Sequence, residues 1–78
     1  MKHHFYSITT MRLRQYTVRV WRKTEYLESG PDEEVAAKLW RLEQPTKTEL
    51  LMAIDELPRV TAYEIVDGHG NGVRVTLE

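Results

Sequence analysis

Asp67 and His69 set a carboxylate two positions from an imidazole, the residue types of a general base and its orienting partner. Such a base needs a nucleophile or a substrate cleft within hydrogen-bond reach. The chain has only Ser7 and Ser29 as serines and no cysteine, so the pair reads as an Asx-type turn with a solvent-facing histidine. Gly68-His-Gly-Asn-Gly72 surrounds it. A dinucleotide fingerprint needs its third glycine one place later and a helix after it. Here a short β-patterned run and the end of the sequence follow, so these glycines are turn residues. Met1-Lys2-His3 puts a histidine third from a free amine, a geometry that chelates square-planar Cu(II) or Ni(II). No second cluster of ligands supports it, and no metal site or cofactor is assigned. Asp32, Glu33 and Glu34 have a simpler role as favourable charge at a helix start. No catalytic residue emerges, and the chain is not expected to be an enzyme.

One cluster remains. Arg12, Arg14, Arg19, Arg22 and Lys23 lie among Tyr16 and Trp21, the only basic and aromatic concentration in the chain. Tyr16, Val18 and Val20 alternate with Thr17, Arg19, Trp21 and Lys23, the period of a half-buried strand. The alternation sends Trp21 to the polar face between Arg19 and Lys23. Arg and Trp dominate interface energetics when desolvated at a patch centre. Arg19, Trp21 and Lys23 are therefore the expected partner-binding anchors, with Arg12 and Arg14 assisting. Strands of this composition also meet nucleic acid, cations on phosphate and aromatics under bases. Against that stand a net charge of −1 and the lack of any RRM, KH or helix-turn-helix signature. A protein partner is the first expectation and nucleic acid the alternative; the plainest role for these charges is protection of a sheet edge. The modest net charge conceals an asymmetry. Residues 1–30 carry six Lys and Arg against two carboxylates, residues 31–78 five against ten.

The elements that must position this cluster are legible in outline. Residues 15–23 form its strand, which can begin as early as Arg12 and run toward Tyr26. Residues 1–11 are a flexible arm or an edge strand ahead of a single domain over 12–78, and Lys2-His-His resembles a clipped tag. Ser29-Gly-Pro-Asp-Glu-Glu34 starts a helix, with proline in the first turn and acids at the positive end of the dipole. Val35, Ala36, Leu39, Trp40 and Leu42 follow at helical spacing, which places Trp40 in the core. A rival assignment makes residues 37–43 a strand and the fold ββαββ, but the adjacent Leu39 and Trp40 break its alternation. Thr46-Lys-Thr-Glu49 is a capping box for a second helix with the stripe Leu50, Leu51, Ile54 and Leu57, stopped by Pro58. Asp55 and Glu56 oppose its dipole, with Arg59 near enough to offset them. Residues 60–66 and 73–77 then form a β-hairpin across the glycine-dense turn. A five-residue loop, Gly68 to Gly72, pairs Tyr63 with Leu77 and Ile65 with Val75, and buries Ile65, Val75 and Leu77.

The fold class is α+β: an antiparallel sheet, made of a basic N-terminal strand and a C-terminal hairpin, packed against two helices. The longest apolar run, Leu50-Leu-Met-Ala-Ile54, is far short of a membrane span. With no cysteine, a cytoplasmic protein is the default. The strand Tyr16-Thr-Val-Arg-Val-Trp21, the capped helix and the Ala-Tyr-Glu-Ile-Val-Asp hairpin ending in Gly-Asn-Gly resemble, in style, the small accessory proteins of phages and mobile elements, including anti-CRISPR inhibitors. That resemblance spans roughly residues 12–78 and carries over no functional residue. It implies inhibition or modulation by occupying a surface on a larger partner.

Overall fold

The computed structural model describes residues 5–24 and 32–77. Strands β1 (Phe5–Leu13) and β2 (Tyr16–Thr24) lead into helices α1 (Glu33–Trp40) and α2 (Lys47–Asp55), then strands β3 (Val60–Val66) and β4 (Gly72–Thr76). The four strands make one antiparallel sheet in the order β1-β2-β3-β4. The class is α+β. Residues 37–40 are helical, so the ββαββ alternative is not adopted.

Period-2 alternation decides which side of the sheet the helices cover. Ser7, Thr9, Met11 and Leu13 of β1 turn inward, as do Tyr16, Val18, Val20 and Arg22 of β2, Tyr63 and Ile65 of β3, and Val73 and Val75 of β4. Val35 and Leu39, one helical turn apart, close the core from α1, and Leu50, Ala53 and Ile54 close it from α2. Each fully buried Leu, Ile or Val contributes about 1.5–3 kcal/mol relative to exposure. The start of α2 is the one the sequence encodes, whereas α1 begins at Glu33, with Asp32 as its N-cap, rather than with proline in its first turn. The Asp32 carboxylate caps α1 by accepting from the N–H groups of Glu34 and Val35. Thr46 and Glu49 complete a reciprocal capping box at α2.

Several expectations need correction. Trp40 is 67% exposed, not core. Val35 and Leu39 already define the buried stripe, and Trp40 lies about 100° round the helix from Leu39. The inward position that follows belongs to Leu42, which packs on the core from the turn after the helix. The hairpin forms, but its loop is Asp67–Asn71. Tyr63 pairs with Val75 and Ile65 with Val73, two residues from the expected register. The slip is even, so the same residues share the inner face. It occurs because Asp67 closes the loop: its N–H donates to the Asn71 carbonyl at 2.8 Å, and its carboxylate accepts from the His69 and Asn71 N–H groups. Gly72 is thereby drawn into β4, where a Cβ would stand 2.0 Å from the Ile65 carbonyl oxygen. Leu77 falls beyond the last pair and is exposed, while Val75 is half-buried. Lys38 of α1, rather than Arg59, meets Glu56 at the C-terminal end of α2. Of the two readings of residues 1–11, the described part is the edge strand, and Phe5–Leu13 runs on past position 12 without a break. The expected helix start at Ser29–Pro31, the run of β2 toward Tyr26 and the Met1-Lys2-His3 motif lie outside the described residues.

Candidate functional site

The outer face of the sheet, opposite the helices, gathers most of the basic cluster. Its side chains stand in rows fixed by the strand register. Ile8, Trp21, Ala62 and Thr76 form a central row. Thr10, Arg19, Glu64 and Arg74 lie on one side of it, with Arg12, Thr17, Val66 and Gly72 beyond. Tyr6 and Lys23 lie on the other side. The cations Arg12, Arg19, Lys23 and Arg74 thus surround an apolar centre, and Glu64 is the carboxylate among them. Tyr6 and Ile8 are each 57% exposed, an unusual cost for an edge strand to carry. Tyr6, Trp21, Thr61, Ala62, Arg74 and Thr76 line a shallow depression on this face.

A bulge shapes that depression. Trp21 pairs with Ala62, but Arg22 pairs with Val60, so Thr61 is the extra residue of β3. Its hydroxyl donates to the Trp21 carbonyl at 3.3 Å, which holds the kink beside the indole. On the same face the Arg19 guanidinium donates to Glu64 at 2.7 Å, and Arg74 approaches the other Glu64 oxygen at 3.7 Å. Glu64, itself largely covered, keeps the two arginines near one another at small energetic gain, since the arginine side of both pairs is open to solvent.

The expected anchors Arg12, Arg19, Trp21 and Lys23 share this face. Arg14 does not. It sits at the tip of the β1–β2 turn with φ of 58°, beyond the last strand pair. Arg22, counted in the basic cluster, points the other way and is buried. Its Nε donates to Asp32 Oδ2 at 2.8 Å, and its Nη2 to Asp32 Oδ1 at 3.1 Å and to Glu34 at 2.9 Å. Ser7 donates its hydroxyl to Asp32, and the Asp32 N–H donates to the Thr9 hydroxyl, so β1, β2 and α1 are tied at one carboxylate. Burial disfavours both charges. The hydrogen bonds and attraction between the partners outweigh that, holding the Asp32 carboxyl below its ordinary range and pushing the Arg22 guanidinium up. This network fixes the rear of β2 and thereby the pitch of the strand that presents Arg19, Trp21 and Lys23.

Tyr6, Ile8 and Arg74 complete the face and were not among the expected anchors. The signal of Tyr6 and Ile8 was present in the alternation of Tyr6, Ile8, Thr10 and Arg12 against Ser7, Thr9, Met11 and Leu13, obscured by the tag-like Lys2-His-His ahead of it. The other chemical candidates resolve into structure. The Asp67 carboxyl is held below its ordinary range by the N–H groups of Asn71 and His69, the geometry of a closed turn, and His69 is exposed. Ser7 is engaged with Asp32. Among the described residues no group of three His, Cys, Asp or Glu side chains converges as a metal site, and no helix is long and apolar enough to cross a membrane.

The two sides of the molecule differ in sign. Among the described residues four cations and one carboxylate stand on the open sheet face, whereas residues 32–59, which hold the helices, carry seven carboxylates against four cations. Comparison of the chain with family models, curated proteins and solved structures finds no match.

Proposed function

We propose that this chain is a non-catalytic binding protein that occupies an acidic surface of a larger protein through the open face of its sheet. The outcome is inhibition or modulation of that partner, the mode of action that the resemblance to anti-CRISPR inhibitors implies. The observation that carries the proposal is the row of exposed Ile8 and half-buried Trp21 and Ala62 on the face away from the helices, ringed by Arg12, Arg19, Lys23 and Arg74. An apolar, aromatic centre with a polar rim is the anatomy of a protein interface. The rim is positive, so the complementary surface is negative, and attraction between the two speeds encounter and fixes register.

A second proposal, nucleic-acid binding, draws on one feature of the same face. Tyr6 and Trp21 line one depression within reach of Lys23 and Arg74, and aromatic platforms flanked by cations bind single strands. Ile8 beside them offers no stacking surface, which favours the protein partner. The experiment is affinity capture from the native host with and without nuclease, followed by titration of the captured partner in rising salt. A protein complex anchored by Trp21 persists after nuclease and changes affinity modestly with salt. A complex with several phosphate contacts falls by orders of magnitude over the same range. Capture that disappears on nuclease treatment overturns the protein-partner proposal.

A further inference from the structure

The two edges of the sheet are not alike. β4 is five residues long and carries Arg74 at its middle. β1 is nine residues long, Phe-Tyr-Ser-Ile-Thr-Thr-Met-Arg-Leu, with one charge and neither proline nor glycine. Its register with β2 runs from Phe5 opposite Thr24 to Leu13 opposite Tyr16 without a shift. Exposed edges in folded proteins are normally blunted by shortness, charge, proline or a bulge. β4 has the first two devices; β1 has none along most of its length. β1 ends the strand order, so among the described residues its outer backbone groups have no strand partner.

We infer that the outer edge of β1 pairs antiparallel with β1 of a second copy of this chain, joining two sheets into one of eight strands. The sequence of the strand is complementary to itself about its midpoint. A two-fold axis at Thr9 aligns all nine residues, Phe5 against Leu13 and Thr9 against Thr9 of the second copy. On the open face this sets Tyr6 opposite Arg12 of the second copy, a cation beside an aromatic ring, and does so twice. Ile8 falls opposite Thr10. The two copies of Arg12, the strand's only charge, lie at opposite ends of the contact, about 20 Å apart along it at the rise of a β-strand. No like-charged pair is created. The two outer faces become one continuous surface carrying two Trp21 patches, which converts a single-site binder into a bivalent one. A strand-to-strand contact is at the small end of specific interfaces, so assembly depends on concentration. The strand pairing does not rest on the proposed function, although it shares Tyr6, Ile8 and Arg12 with that face; only the bivalency rests on it.

The test is sedimentation of the full chain over a concentration series reaching millimolar. The expected result is a monomer that becomes a dimer, without higher species, because the two-fold closes. Thr10→Lys is the informative variant. Thr10 is exposed and outside the core, and the change puts two new cations diagonally across the two-fold, shifting the midpoint at least about tenfold. The register has its own check. The chain has no cysteine, so a mixture of Ile8→Cys and Thr10→Cys chains forms a mixed disulfide under mild oxidation faster than either chain links to itself. The Arg19→Ala/Trp21→Ala variant dimerises like the parent even where it fails to bind the larger partner. A monomer at every concentration overturns the inference. So does a dimer that Thr10→Lys leaves intact, and so does an edge that takes up only a strand from a different protein.

Discussion

Asp32→Ala tests the link between the buried polar network and the face it supports. The substitution acts twice. It removes the N-cap acceptor of α1, which receives the N–H groups of Glu34 and Val35, a loss of about 0.5–2 kcal/mol. It also leaves the Arg22 guanidinium, only 7% exposed, with the Pro58 carbonyl at 3.3 Å and the half-exposed Glu34 as its remaining partners. Breaking a buried pair in this way costs about 3–5 kcal/mol. The combined loss, about 3.5–7 kcal/mol, approaches the whole stability expected of a 78-residue domain, roughly 4–12 kcal/mol. Asp32→Asn keeps an oxygen at the cap and loses only the charge, so its cost is smaller than that of Asp32→Ala by about 1 kcal/mol. Urea unfolding followed by tryptophan fluorescence measures both. The same carboxylate sets a pH dependence. Its folded pKa lies below the unfolded value, so its contribution is fully present above the ordinary aspartate range and is lost as pH falls through that range toward the folded pKa. In Asp32→Asn that acid-side loss is reduced. An Asp32→Ala midpoint within error of wild type would refute the view that this carboxylate holds Arg22 and α1 together.

Three further outcomes follow from the packing. Thr46→Ala lowers stability by about 0.5–2 kcal/mol through loss of the α2 cap, measured by denaturant midpoint. Gly72→Ala cannot place its Cβ without moving the Ile65 carbonyl, so it costs about 1–3 kcal/mol, the range for forced backbone shifts, and amide exchange quickens first in the β3–β4 hairpin. Leu39→Ala costs about 2–5 kcal/mol, whereas Trp40→Ala, at an exposed position of the same helix, stays within about 0.5 kcal/mol of wild type; equal losses would mean that α1 is rotated from the orientation described.

Much of this architecture is legible in the sequence because its signals are local. The Thr46-to-Glu49 capping box, the acidic start of α1, the alternation across residues 16–23 and the Asp67 turn each depend on residues close in the chain. The hairpin register was harder, because two loops of equal length differ by an even slip that keeps every side chain on its face. Only the hydrogen bonds of Asp67 and the close approach at Gly72 choose between them. Trp40 misled for the opposite reason: hydrophobic spacing admits two adjacent residues to a stripe wide enough for one. Of the face itself, Arg12, Arg19, Trp21 and Lys23 were readable from the strand period. Arg22 was not separable from them by composition, although its even position, with Tyr16, Val18 and Val20, already marked it as inward. Tyr6 and Ile8 join the face across the β1–β2 hairpin, and Arg74 joins it only because β3 pairs with β2, distant in sequence.

The open face can be set directly against the helical side by comparing two double variants in titrations of the captured partner. Arg19→Ala/Trp21→Ala removes the centre of the sheet face. Trp40→Ala/Met52→Ala removes the large exposed apolar side chains of the two helices. Both are first shown by circular dichroism to be folded. The sheet-face variant is expected to lose at least about 30-fold in affinity, the equivalent of a hot spot of about 2 kcal/mol, while the helix variant binds as wild type does. Wild-type affinity in the sheet-face variant, with the loss falling on the helix variant, would contradict the central claim and move the binding surface to the acidic side of the molecule.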